Sequence, residues 1–400
     1  MNDFSSPSQF AIGPAGIATA LVPLDLIWTE HCDITGGVVP NRTPAWDAQH
    51  ALWSGRPLAT LRPHIELFEC FSTGRPAFPH AYRDWYRALF ETRGLTPPVN
   101  DADLLHDRHE RYRFFDHTLR TQGATAPFLT VRVKWLKDRN LFMLRDGHHR
   151  ATFLHTRAQR KIAAAMPFED LSEWLNITAA REVHGIITAQ QRRELYTPIL
   201  NPLLFDLPTH RDFASQTRLE QLLRHLGPRR LPGPVLDIGS NIGFFCHHLA
   251  REGVKAVGIE PDPDHHALAC ALSVLYRLNP TFHRKTILDF FAMDQTVFTG
   301  CLMLTVLYHF MATDEALPLL DAVNRRVESY IIWESGHDPE AEKALIQSRT
   351  KFTEFTLIGG TQGTGRTREL GIFHVPGFTF PTTAQRTPTA RPGLLPFMFR

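Results

Sequence analysis

Cysteine is sparse in this chain of 400 residues, and no two cysteines form a C-x-x-C pair. A disulfide framework or a zinc site built on paired thiolates is therefore not expected. Reduced and mostly buried thiols, as in a cytosolic protein, fit the pattern best. The five cysteines are scattered along the chain, at Cys32, Cys70, Cys246, Cys270 and Cys301.

Long apolar runs are lacking as well. The run from Cys301 to Leu307 is long enough only for a buried strand, so no membrane span is expected. The first thirty residues show no basic segment followed by an apolar core, so no secretory signal is visible. We therefore expect a cytoplasmic protein.

The chain also lacks an excess of charge of one sign. Lys and Arg number 43 and Asp and Glu number 41, for a formal net charge of +2. This balance argues against a large surface that follows nucleic-acid phosphates, so nucleic acid is not an expected partner. Hydrophobic residues at 43% and charged residues at 21% are typical of a soluble globular protein. A length of 400 residues predicts two domains.

Composition and hydrophobic periodicity divide the chain into four parts. The first is rich in Pro, Gly and Thr, which predicts irregular structure. The second mixes helical and extended patterns and predicts a smaller α+β domain. The third alternates strands and helices, which predicts an α/β domain with a doubly wound, mostly parallel sheet and an antiparallel terminal hairpin. The last, rich in Thr, Pro and Arg, predicts a disordered tail. The parts cover residues 1–60, 61–195, 196–378 and 379–400.

A glycine-rich turn between two apolar runs is the most informative segment. The run that begins at Val235 ends in Asp237, and Gly239 and Gly243 follow in the pattern D-x-G-x-x-x-G. The next apolar run ends in Glu260, which is placed to accept hydrogen bonds from two ribose hydroxyls. This layout predicts strand, turn, helix and parallel strand, with a turn whose backbone a ligand can approach closely. The third glycine of a dinucleotide fingerprint is missing, which favours a ligand without a pyrophosphate.

From Pro198 to Phe378 the chain resembles the class I S-adenosylmethionine-dependent methyltransferases, through this turn and the acid that follows it. The resemblance implies a Rossmann-like methyltransferase fold with S-adenosyl-L-methionine as the cofactor. Asp289 follows a strand predicted over 282–288, where family members often hold the adenine amino group, but it is equally well placed to cap a helix. A nicotinamide-binding or non-binding Rossmann-like sheet is the alternative. The cofactor-binding residues implied by the resemblance are Asp237, Gly239, Ser240, Asn241, Gly243, Glu260 and Asp289.

Three residues near later strand ends are candidates for catalysis. Methyl transfer from a sulfonium needs chiefly an in-line approach, and a general base mainly when the acceptor is a hydroxyl. The segment around Tyr308 and His309 resembles the part of the family that faces the methyl group, and His309 is able to take a hydroxyl proton. The alternative is that His309 hydrogen-bonds the backbone. Glu334, at the end of the fifth strand, is the third candidate, with a purely structural alternative.

A second motif, Gly147-His148-His149-Arg150, lies between a predicted strand and a predicted helix. A glycine at a helix entrance exposes amides to an anion, and an arginine adds a bidentate cation. The stretch from Phe128 to Glu169 resembles the ParB/sulfiredoxin-like fold, whose G-x-x-R turn binds nucleotide phosphates. The resemblance implies a nucleotide or phosphate ligand at these four residues. The alternative is that they only cap the helix and pack the turn, and adjacent histidines that point apart do not favour a metal site.

Together the two motifs predict a methyltransferase for a small-molecule or glycan acceptor, acting by O-methylation, whose first domain presents a phosphorylated or nucleotide-linked acceptor. The glycine turn also resembles that of tRNA wobble-uridine carboxymethyltransferases, so tRNA modification is one alternative, although no pronounced run of Lys and Arg supports it. The others are a non-catalytic nucleotide-binding sensor and phosphotransfer by the first domain. Fold alone does not specify the acceptor.

Overall fold

The computed structural model of the protein describes residues 10–13, 16–29, 56–74, 80–91, 100–205, 207–209, 212–227, 229–363 and 366–381. Most of the tail predicted to be disordered, from residue 382 onward, lies outside this described part. The described strands form two seven-stranded sheets. None of the helices in the described part of the chain is long and apolar enough to cross a membrane.

The first sheet is mixed. Its strands are β1 (Phe10–Ile12), β2 (Ile17–Pro23), β3 (Ile27–Thr29), β4 (Arg56–Pro57), β5 (Val131–Leu136), β6 (Leu141–Asp146) and β7 (Lys161–Pro167). They lie in the order β1-β2-β7-β5-β6-β3-β4. The pairs β5–β7 and β3–β6 are parallel, and the remaining pairs are antiparallel.

Four of these strands come from residues 1–60, and the prediction of irregular structure is wrong for that described portion. Along β2, Ala18, Ala20 and Val22 are at most 2% exposed and alternate with less buried neighbours. A period of two is the pattern of a half-buried strand. The small alanines make this pattern faint in the sequence, and β2 and β3 pair with strands far along the chain, β7 and β6.

Helices pack against this sheet and against one another. In the described part they are α1 (Arg62–Ser72), α2 (His80–Glu91), α3 (Asp101–Gln122), α4 (His148–Thr156), α5 (Phe168–Leu175) and α6 (Ile177–Ala189). The Asn100 side chain caps α3 by accepting a hydrogen bond from the Asp103 amide. Buried residues such as Phe68 and Phe153 bring α1 and α4 together in one apolar core. The ParB/sulfiredoxin-like identity of this unit stays a prediction.

The second sheet alternates with helices along the chain. Its elements are α7 (Asp212–Leu226), β8 (Val235–Ile238), α8 (Phe244–Arg251), β9 (Ala256–Ile259), α9 (Pro263–Tyr276), β10 (Thr281–His283), α10 (Ile287–Met293), β11 (Phe298–Leu304), α11 (Leu307–Met311), α12 (Ala316–Arg326), β12 (Val327–Glu334), α13 (Pro339–Arg349), β13 (Glu354–Gly363) and β14 (Arg366–His374). The strand order is β10-β9-β8-β11-β12-β14-β13. The first five strands are parallel, and β14 is antiparallel to both of its neighbours. This confirms the predicted Rossmann-like sheet with an antiparallel terminal hairpin.

The third strand of this sheet is shorter than predicted. Only Thr281–His283 is extended, instead of 282–288, and α10 begins at Ile287. Thr286 caps that helix because its side chain accepts a hydrogen bond from the Asp289 amide. A short apolar run fits either a strand or a helix by periodicity alone, and here the threonine cap favours the helix.

The two units share a packed interface. The apolar core of the first unit includes Leu268, Leu272 and Leu275 of α9. Arg56 and Glu252 form an ion pair at 2.6 Å, with side chains 0% and 5% exposed. Breaking a buried pair leaves a lone charge and costs about 3–5 kcal/mol, so this pair ties β4 to the end of α8.

Candidate functional site

A cavity of about 1020 Å³ lies at the carboxyl ends of β8, β9 and β11. The strand order reverses between β8 and β11, and ligands of open α/β sheets bind at such a reversal. Gly243 is not among the residues that line the cavity. The other six residues predicted to bind the cofactor do line it: Asp237, Gly239, Ser240, Asn241, Glu260 and Asp289.

The two glycines of the turn adopt left-handed backbone conformations, with φ of +71° at Gly239 and +80° at Gly243. A Cβ at Gly239 would lie 3.3 Å from Cγ2 of Val306, and a Cβ at Gly243 would collide with the Phe282 ring. Gly239 therefore shapes the cavity, whereas Gly243 lets the start of α8 pack against β10.

Glu260 follows β9 and is 7% exposed. Its Oε2 accepts a hydrogen bond from the Asn241 amide at 2.8 Å, and its Oε1 accepts one from the Asp262 amide at 3.0 Å. A carboxylate oxygen can accept two hydrogen bonds. Each oxygen of Glu260 therefore has capacity for one further donor, such as a ribose hydroxyl.

Asp237 is the most strongly perturbed carboxyl of the cavity, at 4% exposure. Burial raises its pKa to about 7, against the opposing effects of a hydrogen bond from Cys246 and the charge of Arg218. The Cys246 thiol donates to Oδ2 of Asp237 at 3.4 Å. At neutral pH this carboxyl is therefore partly protonated and is able to donate as well as accept.

Two polar residues of the cavity, Thr197 and Arg218, were missed by sequence analysis. Each is 3% exposed. Among the described residues, Thr197 Oγ1, Arg218 Nε and Ser240 Oγ have no hydrogen-bond partner. Buried polar groups are nearly always paired in folded proteins, and these three atoms belong to residues that line the cavity. Neither Thr197 nor Arg218 belongs to a recognisable local motif.

Glu334 does not line the cavity and is fully buried. Its carboxylate pairs with Nη1 of Arg218 at 3.0 Å and accepts hydrogen bonds from the hydroxyls of Thr305 and Thr361. These contacts engage both carboxylate oxygens. The contacts favour the structural alternative for Glu334, as a side chain that holds Arg218 in place.

Tyr308 and His309 lie in α11 and line the cavity, with their ring centroids 3.9 Å apart. Tyr308 packs on Gly336, where a Cβ would collide with the ring. His309 is largely exposed, but the part of its ring that is buried lowers its pKa. The nearby charges of His337 and Arg368 lower the pKa further. A neutral imidazole at neutral pH is able to accept a proton.

Asp289 lies exposed at the cavity and is the third residue of α10, whose N-cap is Thr286. Its amide donates to Oγ1 of Thr286 at 3.1 Å, and the Thr286 hydroxyl donates to its carboxylate at 2.7 Å. The N-cap alternative for Asp289 is therefore wrong, because Thr286 holds that position, and the adenine contact stays a prediction.

The second glycine turn contacts its own domain. Gly147 has a φ of +99° and precedes α4. Arg150 donates from Nη1 to the Thr130 carbonyl at 2.5 Å and pairs through Nη2 with Asp146 at 2.6 Å. The guanidinium thus binds protein groups on both sides, and the predicted phosphate site stays a prediction.

The two histidines of that turn point into the domain. Nε2 of His149 lies 2.7 Å from the Tyr82 hydroxyl. Burial lowers the pKa of both histidines, that of His148 to about 4. Within the ranges that the structure describes, no group of three or more His, Cys, Asp or Glu side chains is arranged to hold a metal ion.

Comparisons with known proteins found partial matches to solved structures. No protein family model and no curated protein matches the chain. The bifunctional kinase-methyltransferase WbdD is 22% identical over 48% of this chain and 45% of its own, with a TM-score of 0.39. This chain thus spans less than half of that protein.

Two smaller methyltransferases are similar over more of their own length. The magnesium protoporphyrin IX methyltransferase of Synechocystis PCC 6803, solved with bound SAM, is 17% identical over 40% of this chain and 77% of its own, with a TM-score of 0.32. The N-methyltransferase NodS of Bradyrhizobium japonicum WM9, solved with S-adenosyl-L-homocysteine, is 18% identical over 42% of this chain and 90% of its own, with a TM-score of 0.35. At such identities and scores, function has to be argued from the cavity of the chain itself.

Proposed function

We propose that this chain is an S-adenosylmethionine-dependent methyltransferase whose donor binds in the cavity beside β8 and β9. One observation carries the proposal: a single cavity joins the bare backbone of Gly239, the hydrogen-bond acceptor Glu260 and the buried cation Arg218. Its volume of about 1020 Å³ is at the upper end of the roughly 300–1,000 Å³ of most ligand pockets. It therefore has room for part of a second reactant beside the donor.

The cavity residues fit the chemistry of each part of the donor. Glu260 accepts hydrogen bonds from the ribose hydroxyls, and Asp289 is available to the adenine amino group. Arg218, with the unpaired hydroxyl of Thr197, suits the methionine carboxylate, because guanidinium–carboxylate pairs are charge-assisted. Gly239 lets the donor lie against the turn.

Tyr308 and His309 are the proposed acceptor-facing residues. S-adenosylmethionine supplies an activated methyl group, so the protein has mainly to align the two reactants. Tyr308, packed on Gly336, gives an aromatic surface for the acceptor. His309, neutral at neutral pH, accepts the proton from an acceptor hydroxyl as its oxygen attacks the methyl group. We therefore propose O-methylation of a small molecule or glycan.

The second turn is proposed to bind a phosphate or nucleotide of the acceptor. Arg150 and Asp146 form an ion pair with side chains 23% and 61% exposed. Exposed pairs contribute only about 0–1 kcal/mol, so an incoming phosphate can replace the Asp146 carboxylate on Arg150.

Calorimetry of the full chain with S-adenosylhomocysteine tests the proposal. We expect one-to-one binding that Glu260→Gln weakens by about tenfold or more, since a hydrogen bond to a charged group contributes ~1.5–3 kcal/mol. Glu328→Gln, at an exposed position of β12, is the control and leaves binding unchanged. Absence of binding to the unaltered chain rejects the proposal. Release of S-adenosylhomocysteine from the methyl donor in the presence of an acceptor excludes a mere sensor.

A further inference from the structure

Arg218 and Glu334 form an ion pair almost without solvent contact, at 4% and 0% side-chain exposure. Arg218 lines the cavity, whereas Glu334 does not. The guanidinium carbon lies 5.5 Å from the ring centroid of Phe245. The cation is therefore held between a carboxylate and an aromatic ring before any ligand arrives.

Glu334 also holds the end of β11. Its side chain accepts a hydrogen bond from the Thr305 hydroxyl, and its backbone carbonyl accepts one from the Thr305 amide at 3.0 Å. Thr305 has a φ of +60°, which is a strained conformation for a β-branched residue. Such strain persists only where the surroundings hold the residue in place, and Glu334 makes both of these contacts.

This strained turn leads directly into the proposed acceptor site. Thr305 and Val306 are the only two residues between β11 and α11, the helix that carries Tyr308 and His309. Thr361 of β13 adds a second hydroxyl contact and so ties the terminal hairpin to the same carboxylate. One buried side chain therefore contacts α7, the turn that follows β11, and β13.

We propose that Glu334 is a positioning residue that sets both ends of the methyl-transfer site. Through Arg218 it orients the cation that receives the methionine carboxylate, and through Thr305 it fixes the turn into α11. This inference rests on the proposed function. A role as general base is excluded by its place, because Glu334 does not reach the cavity and both of its oxygens are engaged.

Binding of two ligands separates positioning from a merely structural role. Glu334→Gln keeps the size of the side chain but removes the charge that orients Arg218. We expect the dissociation constant of S-adenosylhomocysteine to rise at least tenfold, while that of 5′-methylthioadenosine, which lacks the amino-acid part, changes less than twofold. Glu328→Gln, exposed on the same strand, is the control.

The pH profile supplies a second measurement. Once a methyl acceptor is identified, the rate of methyl transfer can be measured against pH. We expect Glu334→Gln to lower this rate but to keep the shape of its pH dependence, because the general base His309 is unchanged. Loss of one limb of the profile would instead assign the base role to Glu334 and overturn the inference.

A double variant covers the case in which Glu334→Gln does not fold because Arg218 is left without a counter-ion. Arg218→Gln combined with Glu334→Gln removes both buried charges. We expect this chain to fold and to bind S-adenosylhomocysteine no more weakly than Arg218→Gln alone, since the two residues act as a unit. Additive losses overturn the inference, as does equal weakening of both ligands by Glu334→Gln. If the unaltered chain binds no S-adenosylhomocysteine, the proposed function itself fails.

Discussion

Two strand-to-helix turns in this molecule place a glycine at positive φ, at Gly239 and at Gly147, and their surroundings differ. In front of Gly239 lies a cavity whose lining includes unpaired polar groups. The space at Gly147 is filled by protein: a Cβ there would lie 2.8 Å from Cγ1 of Val131 and 3.1 Å from Nε of Arg150. A glycine of this kind therefore predicts the shape of a turn and not an open site beside it.

The difference arises from where the neighbouring side chains come from. Arg150 is three residues after Gly147 and folds back onto its own turn, where it pairs with Asp146. The groups across the cavity from Gly239 include Thr197 and Arg218, which precede the turn by 20 residues or more. The cavity at Gly239 is lined by distant segments and is open. The space at Gly147 is occupied by an arginine of the same turn.

The largest expected effect is on chemistry at the cavity. His309→Gln should lower the rate of methyl transfer about a hundredfold, the lower end of the usual contribution of a general base. The rate of the unaltered protein falls as pH drops through the lowered pKa of His309, because the protonated ring cannot accept a proton. Rates measured across acidic to neutral pH should show this limb, and His309→Gln should lack it.

His374→Gln, outside the cavity on β14, is the control and keeps the limb. A His309→Gln protein that retains the acidic limb would contradict the assignment of the base.

The matched pair Gly239→Ala and Gly147→Ala tests the comparison directly. Both force alanine into positive φ, a cost on the order of 1–3 kcal/mol, and the closer Val131 contact makes Gly147→Ala the more destabilising in urea unfolding. Gly239→Ala should weaken S-adenosylhomocysteine binding about tenfold or more, whereas Gly147→Ala should leave it within twofold. Equal weakening of binding by both variants would show that the two turns are coupled, and it would contradict the difference proposed between them.

The smallest expected effect concerns Arg150. Arg150→Met removes one charge-assisted bond to the Thr130 carbonyl and one exposed ion pair, so we expect a loss of about 1 kcal/mol in the free energy of unfolding. Arg132→Met, at an exposed position of β5, serves as the control. The proposed phosphate site predicts that inorganic phosphate stabilises the unaltered protein but not Arg150→Met, and equal stabilisation of both would contradict it.

Local patterns in the sequence predicted the parts of the fold that depend on near neighbours. The segment β8–α8–β9 and the hairpin β13–β14 are such parts, since glycine spacing and apolar periodicity report backbone shape directly. The strand predicted over 282–288 ends at His283, because the Thr286 cap outweighs a short apolar run and starts a helix.

Local sequence patterns could not predict the polar residues of the cavity. Arg218 is one arginine among many in the chain, and its importance comes from its burial against Glu334, 116 residues later. Glu334 itself was identified as a notable position, but only the packing of Thr305 and Thr361 on it distinguishes a support from a reactive group. Contacts between segments far apart in sequence leave no local pattern.

Helix α9 is packed on two sides, against β10 of its own sheet and, through Leu268, Leu272 and Leu275, in the core of the other unit. A fragment that starts after residue 196 would expose these three leucines to water, because the residues of the first unit that pack on them would be missing. The two units therefore depend on each other for part of their apolar packing. Replacing the first unit by that of another protein therefore requires an apolar surface that fits these three leucines.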